Sequence, residues 1–235
     1  MLGSLFQFSV FENGYFMQNR RQISRVLEKI SNFVGSSPDD LAVTRASRRH
    51  DPYAVLVSTI LSLRARDETT QIVTPALLSE APNPETLASL SQERIVHLIR
   101  QTSFRNTKAR HLRGIARDIM EKHDGTVPHT IEELLSFKGI GRKSANLILT
   151  LGFGKQAICC DTHVHRLSNR LGFVRTGKPE ETERALMTVL PKKWWIPING
   201  ILIAFGRVHC TPISPKCSGC PIGKSCPRIG VGKNR

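Results

Sequence analysis

Apolar residues recur at three- and four-residue spacing along most of this chain, and no stretch shows the two-residue alternation of a strand, so the chain must fold as packed helices. The repeat is clear in Ile23, Val26, Leu27, Ile30 and Phe33, and again in Ile131, Leu134 and Leu135. Further helical runs are expected over Tyr53–Leu63, Glu68–Ser79, Pro84–Leu90, Gln92–Gln101, Thr107–Lys122, Arg142–Leu151, Thr162–Leu171, Pro179–Leu190 and Ile198–Val208. Breaks such as Asn83-Pro84 and His123-Asp124-Gly125 separate them. No internal repeat of solenoid length or low-complexity segment appears, so the expectation is an all-α protein of many short helices. Its 235 residues suffice for one large or two modest cores. Lys155 to Cys160 is a candidate seam, because Gly152 and Gly154 end a helix just before it.

Thirty-four Lys and Arg against nineteen Asp and Glu leave a formal charge of +15, which favours a polyanionic partner, nucleic acid first. Charge alone fits an unrelated basic protein or an anionic membrane surface equally well. No run approaches the ~20 apolar residues of a spanning helix, and the N-terminus lacks the order of a secretory signal. A soluble, intracellular protein with no membrane partner is expected. Met1 to Phe16 is apolar and aromatic without a sustained period, which reads as an N-terminal extension over residues 1–20.

The segment from Leu135 to Leu149 ends one helix, turns through Gly139-Ile140-Gly141 and begins another. The two glycines permit positive φ and close approach of a ligand to the backbone, and Ile140 between them would anchor the turn in the core. N–H groups at the start of the second helix lack intrahelical partners and sit at the positive end of its dipole, which suits a phosphate. Lys143 falls in the first turn there, where the dipole opposes the ammonium form and favours a free, nucleophilic amine. The same lysine could also be a solvated phosphate contact.

Asp161, in Cys160-Asp161-Thr162-His163-Val164-His165, stands as the N-cap of the next helix, from which a carboxylate could stabilise positive charge developing at a sugar C1′. His163 and His165 are two apart on that helix and do not face each other, so His163 is expected to be structural and His165 exposed. Of six cysteines, Cys210, Cys217, Cys220 and Cys226 cluster near the C-terminus, which points to metal rather than disulfides. Zinc and an iron–sulfur centre both use four thiolates, although structural zinc usually pairs two short-spaced couples across a longer loop. Pro212, Pro215 and Lys216 in the first cysteine loop would present a rigid basic tip. Cys159, Cys160, Trp194 and Trp195 read as core residues.

Phe137-Lys-Gly-Ile-Gly-Arg-Lys-Ser-Ala-Asn, followed by Cys160-Asp-Thr-His-Val, resembles the endonuclease III family of helix-hairpin-helix DNA glycosylases, and the spacing Cys-x6-Cys-x2-Cys-x5-Cys matches that family's cluster loop. A weaker similarity reaches back to Ile60-Leu-Ser-Leu-Arg-Ala-Arg-Asp. The resemblance implies two lobes: a six-helix barrel domain over 46–155 that carries the hairpin, and a helical iron–sulfur domain from 21–45 and 156–235, with the active-site cleft between them. It implies Lys143 as nucleophile, Asp161 as catalytic carboxylate, and a [4Fe-4S] cluster on Cys210, Cys217, Cys220 and Cys226. DNA contacts are expected from Arg64, Gly139, Ile140, Gly141, Arg142 and Lys216. Arg64 departs from the family, standing where a glutamine usually fills the gap left by an extruded nucleotide. Lysine together with the cluster favours a bifunctional glycosylase and AP lyase that acts, as a monomer, on double-stranded DNA carrying oxidised pyrimidines or abasic sites. The other readings at this point are a monofunctional mismatch or uracil-type glycosylase and a non-catalytic DNA-binding protein.

Overall fold

The computed structural model describes residues 19–35 and 51–235; nearly all of the expected N-terminal extension lies outside these residues. The described residues form eleven α-helices and one short 3₁₀ turn, with no strand among them. In chain order the helices are α1 (Arg20–Val34), α2 (Pro52–Ser62), α3 (Asp67–Glu80), α4 (Pro84–Ser89), α5 (Gln92–Leu98), α6 (Arg105–Lys122), α7 (Ile131–Ser136), α8 (Arg142–Phe153), α9 (Thr162–Arg170), α10 (Pro179–Val189) and α11 (Ile198–Val208). Local chemistry sets most of the starts. Asp51, Asn83, Ser91, Thr130 and Asp161 each cap a following helix through a side-chain oxygen, and Pro52, Pro84 and Pro179 occupy first-turn positions where no N–H is needed.

Two hydrophobic cores result. The first gathers α2 to α8 around α2, which is buried from Tyr53 to Leu61 and apolar on every side, as a helix surrounded by others must be. The second packs α1, through Ile23, Val26, Leu27 and Ile30, with α9, α10, α11 and the cysteine-bearing C-terminal loop. Trp194 and Trp195 sit at its edge, half-buried, their ring N–H groups donating to Ser24 Oγ and the Leu190 carbonyl. The helix expected over Gln92–Gln101 stops at Leu98. Turn bonds from Arg100 N–H to the His97 carbonyl and from Thr102 N–H to the Ile99 carbonyl replace its last turn and deliver Phe104 in a left-handed conformation, φ 57°.

The candidate seam is an extended connector. Gly154, at φ 63°, terminates α8, and Lys155 N–H closes back on the Leu149 carbonyl. Beyond it the side chains alternate between cores: Ile158 and Cys160 enter the second, Cys159 the first. Such a strand has no ladder to satisfy its carbonyls, and two buried asparagines do so instead. Asn146 of α8 donates to the Ile158 carbonyl at 3.1 Å, and Asn199 of α11 donates to the Cys159 carbonyl at 3.0 Å. Asn199→Ala leaves that buried carbonyl unpaired and is expected to lower unfolding stability by about 1–3 kcal/mol, measured by urea denaturation.

Candidate active site

The connector ends at Asp161, and Lys143 stands in the first turn of the helix before it, so the chain's own path returns the two to one place. Lys143, Asp161, Arg142, Glu183, Cys160 and Thr162 line a cleft of about 330 Å³ between α8, α9 and α10, within the ~300–1,000 Å³ usual for small-ligand sites. Asp161 Oδ1 accepts from the N–H groups of His163 and Val164, both at 2.9 Å, which fixes the carboxylate as the expected N-cap. Its Oδ2 accepts no hydrogen bond from the described residues. Lys143 is half-buried in the first turn of α8.

The hairpin that presents Lys143 is held from beneath. Ile140 is buried in the first core. Gly139 has φ +92°, and a Cβ there would stand 2.3 Å from His111 Nδ1. Only Gly139 of the pair needs to be glycine for backbone reasons. Gly141 is extended, with open space where a Cβ would go, and it starts α8 without a side-chain cap. Gly139→Ala combines left-handed strain with a clash and is expected to cost at least about 1–3 kcal/mol in urea unfolding; adding His111→Ala should relieve the clash and leave the strain.

The other expected contact residues are dispersed. Arg142 is held by an ion pair: its Nε and Nη2 donate to both carboxylate oxygens of Glu183 at 2.9–3.1 Å. His165, expected to be exposed, is half-buried, because its Nδ1 meets Thr182 Oγ1 at 2.7 Å across the α9–α10 contact. His163 is half-buried, and burial lowers its pKa below the ordinary histidine value. Lys216 is exposed beside the cysteine cavity, near Ile213, which is 85% exposed.

Arg64 is exposed at φ 50°, with its guanidinium 5.7 Å from the ring of Phe104. Phe104 itself is 59% exposed and also left-handed. Sequence reading missed it; the signal was a lone large aromatic in the polar break Thr102-Ser103-Phe104-Arg105-Asn106. Lys108 was missed as well. It is 4% exposed, donates from Nζ to the Leu61 carbonyl at 2.7 Å, and so ties the turn carrying Phe104 to the one carrying Arg64. Burial lowers its pKa from 10.5 to about 8. An unfolded lysine therefore binds more protons than the folded one between these values, and stability should rise as pH climbs through them. Relative to Lys108→Met, the wild-type chain should gain up to about 3 kcal/mol between pH 8 and 10.5, read from urea unfolding at a series of pH values.

Cys210, Cys217, Cys220 and Cys226 line one small cavity beneath α9 and α11, and all four are unbridged. Gly223 lets the loop close there, since a Cβ would stand 3.2 Å from the Cys220 carbonyl oxygen. The buried Arg170 donates from Nη1 to Cys210 Sγ at 3.4 Å and to the Thr211 carbonyl at 2.8 Å. Four thiols facing a common space, with a cation bonded to one sulfur, fit an anionic thiolate-bound centre. No group of three His, Cys, Asp or Glu side chains poised to hold a metal ion is found among the described residues.

The all-helical fold, the hairpin and the shared lysine–aspartate cleft agree with what known proteins of similar sequence and structure show. A family model described as HhH-GPD superfamily base excision DNA repair protein matches residues 57–192, more than half of the chain, and the chain belongs to that family. Within it the chain is endonuclease III-like. It is 45% identical over 199 residues to endonuclease III of Thermotoga maritima, covering 82% of this chain and 93% of that one. It is 40% identical over 177 residues to the Synechocystis endonuclease III, covering 75% and 81%. A solved structure of a trapped endonuclease III–DNA covalent intermediate superimposes with a TM-score of 0.77 at 32% identity, over 89% of this chain and 96% of that one. No helix among the described residues is long and apolar enough to cross a membrane.

Proposed function

We propose that this chain excises oxidised pyrimidines such as thymine glycol from double-stranded DNA and then cuts the strand, with Lys143 as the nucleophile. The observation that carries the reading is the single cleft in which Lys143 and Asp161 meet. Of the proteins it resembles, one has been seen as a trapped covalent intermediate with DNA.

The uncapped start of α8 and the Gly139–Gly141 turn take a DNA phosphate on their N–H groups. The damaged nucleotide is extruded at a cost of a few kcal/mol. Arg64 and Phe104, already within cation–π distance of each other, fill the vacated space by presenting a guanidinium and a ring to the neighbouring bases. The Lys143 amine forms a bond to C1′ as the C1′–N bond to the base breaks, and the base leaves with that electron pair and a proton. Asp161, with Oδ2 free, stabilises the positive charge that builds on the sugar. The sugar ring then opens: the C1′–O4′ pair leaves on O4′, which takes a proton from water, and the nitrogen lone pair forms C1′=Nζ, giving a protonated Schiff base that keeps the remaining amine proton. This acidifies the C2′ proton, and its removal expels the 3′ phosphate by β-elimination. Water then releases the lysine.

Cys210, Cys217, Cys220 and Cys226 would hold a [4Fe-4S] cluster, which supplies a compact cross-link that braces the loop carrying Lys216 against α9 and α11. The chain acts as a monomer on chromosomal DNA inside the cell. On a duplex with one thymine glycol, borohydride should trap the wild-type chain covalently and Lys143→Ala not at all. Absence of an adduct with wild type, on that duplex and on an abasic one, would end the lyase reading.

A further inference from the structure

We propose that the Arg142–Glu183 ion pair is a positioning device for the reacting amine: Glu183, on the second core, holds the guanidinium next to Lys143 and so sets where Lys143 stands relative to Asp161. The inference rests on Lys143 being the nucleophile.

Glu183 lies on the inward face of α10, one turn before Leu186 and two before Leu190, both of which are buried in the second core. Its side chain is only 4% exposed, and that of Arg142 is 35% exposed. Burying a carboxylate is costly unless it is paired, and a glutamine would fill the same space without a charge to desolvate. The pairing is a planar two-pronged one. Nε donates to Oε1 and Oε2 at 3.1 and 3.0 Å, and Nη2 donates to Oε1 at 2.9 Å. Such a fork fixes orientation as well as distance, which a single ammonium cannot do.

Arg142 opens α8, whose Ala145 and Ile148 are anchored in the first core. The bond therefore crosses from one core to the other at the wall of the cleft, one residue from the amine. α8 has no side-chain cap to hold its start; Cys159 Sγ reaches the Lys143 carbonyl at 3.6 Å from the connector, and the side chain at 142 adds the restraint from α10. A phosphate contact by Arg142 would have to give up these bonds.

The molecule contains its own comparator. Arg207 of α11 donates to Asp67 of α3 at 2.6 Å, again joining the two cores, yet neither residue lines the cleft. A general tie between lobes and a positioning contact thus make different predictions. The decisive measurement is single-turnover borohydride trapping on saturating abasic-site duplex, alongside duplex affinity by anisotropy at fixed salt and thermal unfolding, for wild type, Glu183→Gln, Glu183→Asp and Asp67→Asn. Glu183→Gln should trap on the order of ten to a hundred times more slowly, the usual penalty for a reactant displaced by about an ångström, with affinity unchanged. Glu183→Asp should recover part of the rate, and it carries the test if the glutamine variant does not fold. Asp67→Asn should trap at the wild-type rate even if it melts earlier. Wild-type rates in both Glu183 variants would overturn the proposal, as would weakened affinity at an unchanged rate, which would make Arg142 a phosphate contact. An equal slowing by Asp67→Asn would also overturn it. Failure of wild type itself to trap would count against Lys143 as nucleophile and not against the pair.

Discussion

The extended connector between α8 and α9 is the element on which the rest depends. It lies between two hydrophobic cores, places Cys159 in one and Ile158 and Cys160 in the other, and has two of its carbonyls satisfied by Asn146 and Asn199 from opposite sides. A single extended strand buried away from any sheet is tolerable only when its polar groups are matched in this way. Because it is pinned from both sides, the point at which it ends is fixed to both lobes, and that point is Asp161. Lys143 stands at the far end of the helix that feeds the connector. The meeting of the two residues is thus a consequence of chain path, held by packing rather than by a direct bond.

The buried charged side chains Glu183, Lys108 and Arg170 each hold a segment at the cleft, at the Arg64–Phe104 turns or at the cysteine loop. Glu183 and Arg142 meet at the cleft wall, and Lys108 reaches under the turns that carry Arg64 and Phe104. Arg170 turns inward to the cysteine loop. Each is expensive to bury and each is matched by a defined partner, so each holds a segment in one place where apolar packing would accept several. The two left-handed residues, Arg64 and Phe104, belong to the same pattern. Strain at two separate breaks brings a cation and an aromatic ring to one exposed spot, and the buried Lys108 links them.

Much of this was visible without coordinates, because the relevant signals are local. Helix starts follow from caps and prolines within four residues, which is why Asp161 and its helix were placed correctly. The hairpin needs a positive φ at Gly139 and an apolar anchor at Ile140, and both are written in adjacent residues. The four cysteines carry their spacing with them, and in the structure they face one cavity. The helix over Gln92–Leu98 ran long in the sequence reading because nothing in Ile99-Arg100-Gln101 forbids another turn; the left-handed Phe104 imposes the stop.

What the sequence determined by itself was the helical class, the punctuation, and the candidate lysine, aspartate and cysteines, since each depends on neighbours a few positions away. Only the tertiary structure decided which groups meet across the lobes. Arg142 reads in the sequence as a DNA contact, and nothing there shows that Glu183, forty-one positions later, pairs with it. His165 looked exposed until α10 brought Thr182 against it. Lys108 reads as one more basic residue on a helix, and only the structure shows the Leu61 carbonyl, forty-seven positions earlier, accepting a hydrogen bond from its Nζ. In every case the partner lies beyond the range of helical periodicity, where only packing of one core against another can bring two side chains within hydrogen-bond reach.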